Sequence, residues 1–164
     1  MPSRSSPSAP SAGPSRPTPE AAARLADRGI EREEQGDLRG ACSDYTAALD
    51  LYWELTAANP EAYQEPMGIL LNQLGMVRQE LGELTGARDC YLEARTLFQK
   101  LARTRPDPCR MDLVMTLLSL GPLYDELGDL EAARDVLEEA LREAEALGDA
   151  DIVTQITDYL AEME

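Results

Sequence analysis

Cysteines and carboxylates are the side chains of this sequence that come nearest to a catalytic or metal-binding set. The chain contains no histidine, so it lacks the commonest general base and metal ligand of proteins. Cys42, Cys90 and Cys109 form no C-x-x-C pair, and an odd number of cysteines is typical of a reducing compartment. We therefore interpret the three thiols as small packing residues rather than as nucleophiles or ligands.

The acidic pairs and the glycines also fail to form a reactive pattern. Pairs such as Glu33 with Glu34 and Glu138 with Glu139 could contact a hard cation, but no loop carries the alternating oxygen ligands that calcium requires. The glycines lack the G-x-G-x-x-G and G-x-x-x-x-G-K spacings of phosphate-binding loops. The sequence therefore predicts no enzyme, no cofactor and no metal, and we expect its function on a binding surface.

Glycines at intervals of 46 residues indicate which elements position that surface. Gly36, Gly82 and Gly128 each open a similar phrase, and the phrases read GDLRGACSDYTAAL, GELTGARDCYLEAR and GDLEAARDVLEEAL. A period of this size indicates one supersecondary unit used three times. Another glycine stands seven residues before each of these, at 29, 75 and 121. Because glycine costs about 1 kcal/mol relative to alanine in a helix, we predict that two helices pack closely at these positions.

The repeated phrase resembles the tetratricopeptide repeat, whose pattern is L-G, then G-x-(Y/L), then A-x3-(Y/F)-x2-A. The copies that match best run from Leu70 to Ala94 and from Leu117 to Ala140, whereas the first copy has Arg28 where the others have leucine. The usual repeat of this family has about 34 residues, so the longer period here implies longer helices. Long repeats of this kind resemble those of large bacterial regulatory proteins.

The resemblance implies an all-α fold, a right-handed superhelical solenoid of three helix pairs followed by a C-terminal capping helix. We predict repeats over about residues 20–59, 66–105 and 110–148 and a cap over 150–162, within a helical domain spanning 19–164. The second helices are expected to end near residues 58 and 104, because prolines follow at 60 and 106. Residues 1–18 are rich in proline and serine without an apolar period, which predicts a disordered tail.

Charge and hydropathy narrow the class of partner. The net charge is −16, and −12 of it lies in residues 125–164. Such a surface repels phosphate backbones and anionic lipids and attracts basic proteins, although acidic helices also serve simply as solvated faces. No stretch reaches the 18 or so apolar residues of a membrane span. We therefore predict a cytoplasmic protein that binds neither nucleic acid nor membranes.

In the family that this sequence resembles, the first helix of each pair lines a concave groove that holds an extended or helical peptide. Carried over to this chain, the resemblance implies four lining positions on each first helix: Ala23, Ala26, Ile30, Glu33, Ile69, Asn72, Met76, Gln79, Met115, Leu118, Pro122 and Asp125. One end of each row is apolar and the other polar or acidic, which favours a partner segment with apolar anchors beside lysine or arginine. Asn72 is the amide placed to hold a peptide backbone.

Pro122 and Trp53 each allow two interpretations. Pro122 falls inside a first helix, which it is expected to bend or break. The bend either reshapes the groove for a ligand or is a tolerated kink beside Gly121. Trp53 is either a contact for a partner or a filler at the edge of the core.

The sequence favours a monomeric adaptor that binds a partner protein or peptide. The alternative is a weak homo-oligomer, in which apolar side chains of the inner rows or of an end helix associate. The chain would then be a self-associating scaffold or a regulatory subunit of a larger assembly. A receptor for a chaperone's C-terminal carboxylate is disfavoured, because such family members present lysine, arginine and asparagine where this chain has mostly apolar side chains.

Overall fold

The computed structural model describes residues 17–59 and 61–163, and the regular structure within these ranges is entirely α-helical. The helices are α1 (Pro19–Glu34), α2 (Leu38–Thr56), α3 (Gln64–Glu80), α4 (Leu84–Ala102), α5 (Pro106–Glu126), α6 (Leu130–Leu147) and α7 (Ala150–Glu162). The predicted tail lies outside the described residues, apart from Pro17 and Thr18. The Thr18 hydroxyl accepts a hydrogen bond from the backbone N–H of Ala21 at 3.2 Å, and it therefore caps α1.

The helices form three hairpins that stack into a row. α1 pairs with α2, α3 with α4 and α5 with α6, and three residues join the helices of each pair. Successive hairpins meet through α2 with α3 and through α4 with α5, while α7 packs against α6 and buries Ile156 completely. This arrangement confirms the predicted all-α solenoid.

One loop geometry connects the helices of all three hairpins. Gly36, Gly82 and Gly128 have φ angles of 78°, 76° and 78°, a left-handed conformation that glycine adopts without steric cost. After each glycine, a backbone N–H donates to a carbonyl five residues earlier, as from Asp37 to Arg32 at 2.8 Å. These bonds satisfy the last carbonyls of the first helix, so the spacing of the glycines reflects a repeated helix end.

Helix glycines allow the two helices of each hairpin to approach closely. A side chain of the second helix covers each of them: Tyr45 over Gly29, Tyr91 over Gly75 and Leu137 over Gly121. A methyl group on Gly75 would lie 2.7 Å from Cε1 of Tyr91, a distance that would force a shift of the ring. The close packing predicted from these glycines is therefore confirmed.

The first hairpin has an ion pair at positions where the other two carry uncharged residues. Nε of Arg28 donates to Oδ2 of the buried Asp44 at 2.7 Å, and Nη1 of Arg32 lies 3.2 Å from the same oxygen. This hydrogen bond from Arg28 lowers the pKa of the Asp44 carboxyl. Positions 28 and 44 correspond to Leu74 with Cys90 in the second hairpin and to Leu120 with Val136 in the third. Arg28 thus belongs to a compensated pair, which explains its departure from the repeat pattern.

Exchanging this ion pair for the apolar pair of the third hairpin tests the compensation. Arg28→Leu combined with Asp44→Val should leave stability at neutral pH unchanged or higher, because packed apolar side chains often replace buried ion pairs without loss. Arg28→Leu alone should cost about 1–3 kcal/mol, since the buried Asp44 carboxylate loses its main partner. Asp44→Val alone should cost less, because the half-exposed Arg28 side chain is solvated by water. Urea unfolding measures all four proteins, and a double variant no better than the worse single variant would contradict the expectation.

The same four proteins should differ in their response to acid. The pKa of Asp44 is lowered in the folded chain, so its contribution to stability is present above its unfolded pKa of about 3.9 and is lost as the pH falls below that value. The double variant should therefore lose less stability than the wild type between about pH 5 and pH 2. Equal losses would show that Asp44 does not govern this part of the acid response.

Prolines account for two differences between the expected and observed helices. α5 begins at Pro106 rather than near residue 110, because proline suits the first position of a helix, where its missing N–H is not needed. α5 also continues through Pro122 to Glu126 as one helix, so the helix is not broken there. Leu120 and Leu123 beside Pro122 are completely buried, and their packing holds the last turn in place.

The second helices α2 and α4 end at Thr56 and Ala102, two residues earlier than expected.

Candidate functional site

The residues expected to line a groove lie at matching positions of α1, α3 and α5. The twelve positions form four sets, each with one residue on α1, one on α3 and one on α5, spaced 46 residues apart. The sets are 23/69/115, 26/72/118, 30/76/122 and 33/79/125. α1 and α3 enclose a common cleft, and α3 contacts α5, so the three helices lie side by side. We call the surface formed by these twelve positions the inner face.

Exposed apolar side chains concentrate on the inner face. In residues 17–59 and 61–163, six large hydrophobic side chains are exposed, and four belong to the inner face: Ile30, Ile69, Met76 and Met115, at 40–52% exposure. The other two, Trp53 and Leu130, lie on α2 and α6, and at 52% exposure Trp53 is not enclosed in the core. Because clustered apolar exposure marks binding surfaces whereas scattered exposure does not, the inner face is the candidate site.

An apolar cleft of about 230 Å³ separates α1 from α3. Its apolar lining consists of Ala23, Ala26, Ile30, Tyr45, Tyr52, Pro66, Ile69 and Leu70. The polar residues of the lining are Asp27 and Gln73. Burial, together with the nearby Asp27 carboxylate, raises the pKa of Tyr52. The cleft therefore joins an apolar interior to an acidic group at its exposed side.

Asn72, expected to hold a peptide backbone, lies against the neighbouring hairpin. Its Nδ2 donates to Oγ1 of Thr116 at 2.8 Å, and that hydroxyl donates in turn to the backbone carbonyl of Asp112 at 2.7 Å. Thr116 is completely buried, so the amide satisfies a group that has no access to water. Asn72 thereby links α3 to α5. The contact joins residues 44 rather than 46 apart, so the repeat register gave no signal for it.

Tyrosines of the second helices orient two polar residues of the inner face. The Tyr45 hydroxyl donates to Oε2 of Glu33 at 2.6 Å, and the Tyr91 hydroxyl donates to Oε1 of Gln79 at 3.5 Å. Burial raises the pKa of Tyr45, and it raises the pKa of Tyr91 to about 12. Both hydroxyls are therefore protonated donors at neutral pH.

The far end of the inner face is acidic. Pro122 and Asp125 are exposed, Leu118 is half-buried, and Glu126 accepts a hydrogen bond from Nε2 of Gln79 at 3.4 Å. Burial raises the pKa of Tyr159 on α7, and the charges of Asp125 and Glu162 raise it further. Asp125 of the inner face and Glu162 of α7 therefore both lie near Tyr159. We call Glu33, Asp125, Glu126 and Glu162 the acidic edge.

The thiols have the environment of packing residues. Cys90 and Cys109 are buried and Cys42 is half-buried. Burial raises the pKa of the Cys90 and Cys109 thiols, which leaves little thiolate at neutral pH. In the part of the chain that the structure describes, no three histidine, cysteine or acidic side chains converge in an arrangement suited to a metal. No helix within the described ranges is long and apolar enough to span a bilayer.

Comparison with known proteins identifies the repeat. Residues 66–146 match the family model of the tetratricopeptide repeat, a range that covers α3 to α6 almost completely. No curated protein sequence matches the chain.

Solved structures share the fold but little of the sequence. The N-terminal domain of stress-induced protein-1 (STI-1) from C. elegans gives a TM-score of 0.64 at 18% identity, over 85% of this chain and 94% of that one. The first TPR of Spaghetti (RPAP3), bound to the HSP90 peptide SRMEEVD, gives 0.57 at 17% identity, over 90% and 99%. The Rap conjugation gene regulator of plasmid pLS20, in complex with the Phr* peptide, gives 0.63 at 18% identity, over 85% of this chain and 36% of that one.

Proposed function

Because this chain is a tetratricopeptide repeat protein, we propose that it is an adaptor whose inner face binds a segment of a partner protein. The observation that carries the proposal is the concentration of exposed apolar side chains on α1, α3 and α5. Two similar structures contain bound peptides, the HSP90 peptide in Spaghetti and Phr* in the Rap regulator. They support a peptide segment as the form of the ligand.

We further propose that the partner segment combines apolar and basic residues. The twelve positions of the inner face include two acids, Glu33 and Asp125, and no lysine or arginine. A segment such as SRMEEVD, with three acidic residues, would meet the acidic edge unfavourably, whereas lysine and arginine would be attracted to it. The net charge of −16 adds long-range attraction for basic proteins. We propose on the same grounds a cytoplasmic protein that binds neither nucleic acid nor membranes.

Replacing central apolar residues of the inner face with a charged residue tests the proposal. A partner is first identified by crosslinking in the native cell followed by mass spectrometry, and its Kd is then measured by calorimetry. Ile69→Glu and Met76→Glu should each weaken binding at least about tenfold, because central apolar contacts dominate interface energies. Leu130→Glu is the matched control, since Leu130 is an even more exposed apolar residue but lies on α6, and its effect should stay within about twofold.

The salt dependence of binding tests the basic character of the partner separately from the location of the site on the inner face. Raising the ionic strength from about 0.05 M to 0.5 M should weaken binding, since it screens the attraction between acidic edge and basic segment. Binding unchanged by Ile69→Glu and Met76→Glu would move the site away from the inner face. Binding that is lost in those variants but indifferent to salt would retain the site and exclude a basic partner.

Self-association of the exposed apolar side chains is the competing function. Met76 and Met115 on the inner face and Leu130 on α6 are available to a second copy. Light scattering over a range of concentrations distinguishes the two functions. A constant mass near 18.0 kDa supports the adaptor, whereas a mass that rises with concentration supports the scaffold.

A further inference from the structure

The cleft between α1 and α3 arises from two small residues of the first hairpin. Ala23 and Ala26 line its α1 side. The same register carries Ile69 and Asn72 on α3, and Met115 and Leu118 on α5. At the junction of α3 with α5, the hydrogen bond between Asn72 and Thr116 crosses the corresponding region. The inner face therefore has an apolar cleft at its first junction and a polar contact between the helices at its second.

The size and the lining of this cleft suit one large apolar side chain. An engineered apolar cavity of about 150 Å³ in another protein binds benzene, and this cleft, at about 230 Å³, accommodates a phenyl ring with room for its attachment. Two aromatic residues, Tyr45 and Tyr52, are among its lining residues, and aromatic side chains pack favourably against a further ring.

Asp27 supplies the polar part of the same site. It is exposed, and no arginine or lysine of the described residues lies within salt-bridge distance of it. A carboxylate at the side of an apolar cleft is able to meet a cation that flanks an inserted side chain.

We propose that the cleft lined by Ala23, Ala26, Ile69 and Tyr52 is the anchor pocket of the inner face, and that it receives one phenylalanine-sized side chain of the partner while Asp27 pairs with an adjacent lysine or arginine. This proposal rests on the function proposed above and assigns the specificity to the first hairpin. Met76 and Met115 then cover the rest of the segment, outside the pocket.

Filling the pocket with side chains that the chain already uses provides the test. Ala26→Leu introduces the residue of position 118 and Ala23→Met that of position 115, so each variant places a side chain where the repeat tolerates it. Leucine and methionine are also good helix formers. Circular dichroism and urea unfolding establish that each variant is folded. Leu130→Ala is the matched control, because it changes an exposed apolar residue of α6 that lies outside both the inner face and the pocket lining.

The probe is the peptide N-acetyl-Lys-(4-fluoro-Phe)-Lys-amide, observed by fluorine NMR at about millimolar concentration, the range expected for a small ligand. Wild-type protein should broaden and shift the fluorine signal, and Ala26→Leu and Ala23→Met should weaken this binding at least about tenfold. Leu130→Ala should leave it within about twofold. Asp27→Asn should reduce the affinity for this peptide but not for its version with serine in place of both lysines. An unperturbed signal with wild-type protein, or equal binding to the filled variants, would overturn the pocket.

The identified partner distinguishes this proposal from the proposed function. A partner that binds Ala26→Leu as well as wild type but fails to bind Met76→Glu uses the inner face without the pocket, which overturns the anchor and retains the adaptor. A partner indifferent to both variants overturns both.

Discussion

Replacing Phe98 with alanine should lower the free energy of unfolding by about 3–5 kcal/mol. The ring is completely buried and lies against Gly68 of α3, where a methyl group would come within 2.7 Å of Cζ. Glycine has no side chain that could move into the vacated space, so the variant should retain a cavity. Urea unfolding followed by circular dichroism measures the loss.

The third hairpin offers a matched rescue for this variant. Gly68 with Phe98 corresponds to Val114 with Ala144, so the larger residue there stands on the first helix instead of the second. Gly68→Val combined with Phe98→Ala should therefore recover part of the lost stability, whereas Gly68→Val alone should destabilise by crowding the ring. A double variant less stable than Phe98→Ala would show that the two positions do not share one volume.

Replacing Gly75 with alanine should destabilise the chain by up to about 2 kcal/mol, although alanine is the better helix former. The added methyl group would lie 2.7 Å from the Tyr91 ring, and overpacking of about 1–3 kcal/mol outweighs a helix-propensity gain of about 1 kcal/mol. The measurement is the same urea titration.

Gly86→Ala is the control for helix propensity. Gly86 also lies in a helix, and the third hairpin has Ala132 at the same register. A methyl group there would meet Cδ of Arg78 at 3.3 Å, a flexible side chain that is able to shift slightly. Gly86→Ala should be neutral or stabilise by up to about 1 kcal/mol. Equal effects of the two substitutions would remove the packing explanation for the helix glycines.

The hairpins are alike at the helix glycines and different on the inner face. Gly29, Gly75 and Gly121 are identical because a side chain of the second helix packs directly onto each of them. The inner face, in contrast, changes from alanine to isoleucine to methionine along positions 23, 69 and 115. Stacking geometry therefore leaves the inner face free to vary. This variation is what we propose to give the first hairpin its anchor pocket.

The sequence alone was sufficient for the repeat and for the approximate positions of the helices. Left-handed loop glycines and small residues at helix contacts are local requirements, and they recur at fixed intervals that can be counted without coordinates. The same register indicated which positions of the first helices belong together, and the structure places Ile30, Ile69, Met76 and Met115 among the exposed residues. Whether these residues bind a partner stays a prediction.

Only the tertiary structure decided how side chains of different hairpins pair. The contact of Asn72 with Thr116 depends on how α3 lies against α5, and the cleft beside Ala23 and Ala26 depends on the separation of α1 from α3. Within the first hairpin, the sequence marks Arg28 as a departure from the pattern, and only the packing of α1 against α2 shows that Asp44 compensates it, with Nε and Oδ2 2.7 Å apart. Repeat spacing records what each hairpin needs to form, because those needs are local. It does not record the contacts between hairpins, because these follow from the relative placement of whole helices.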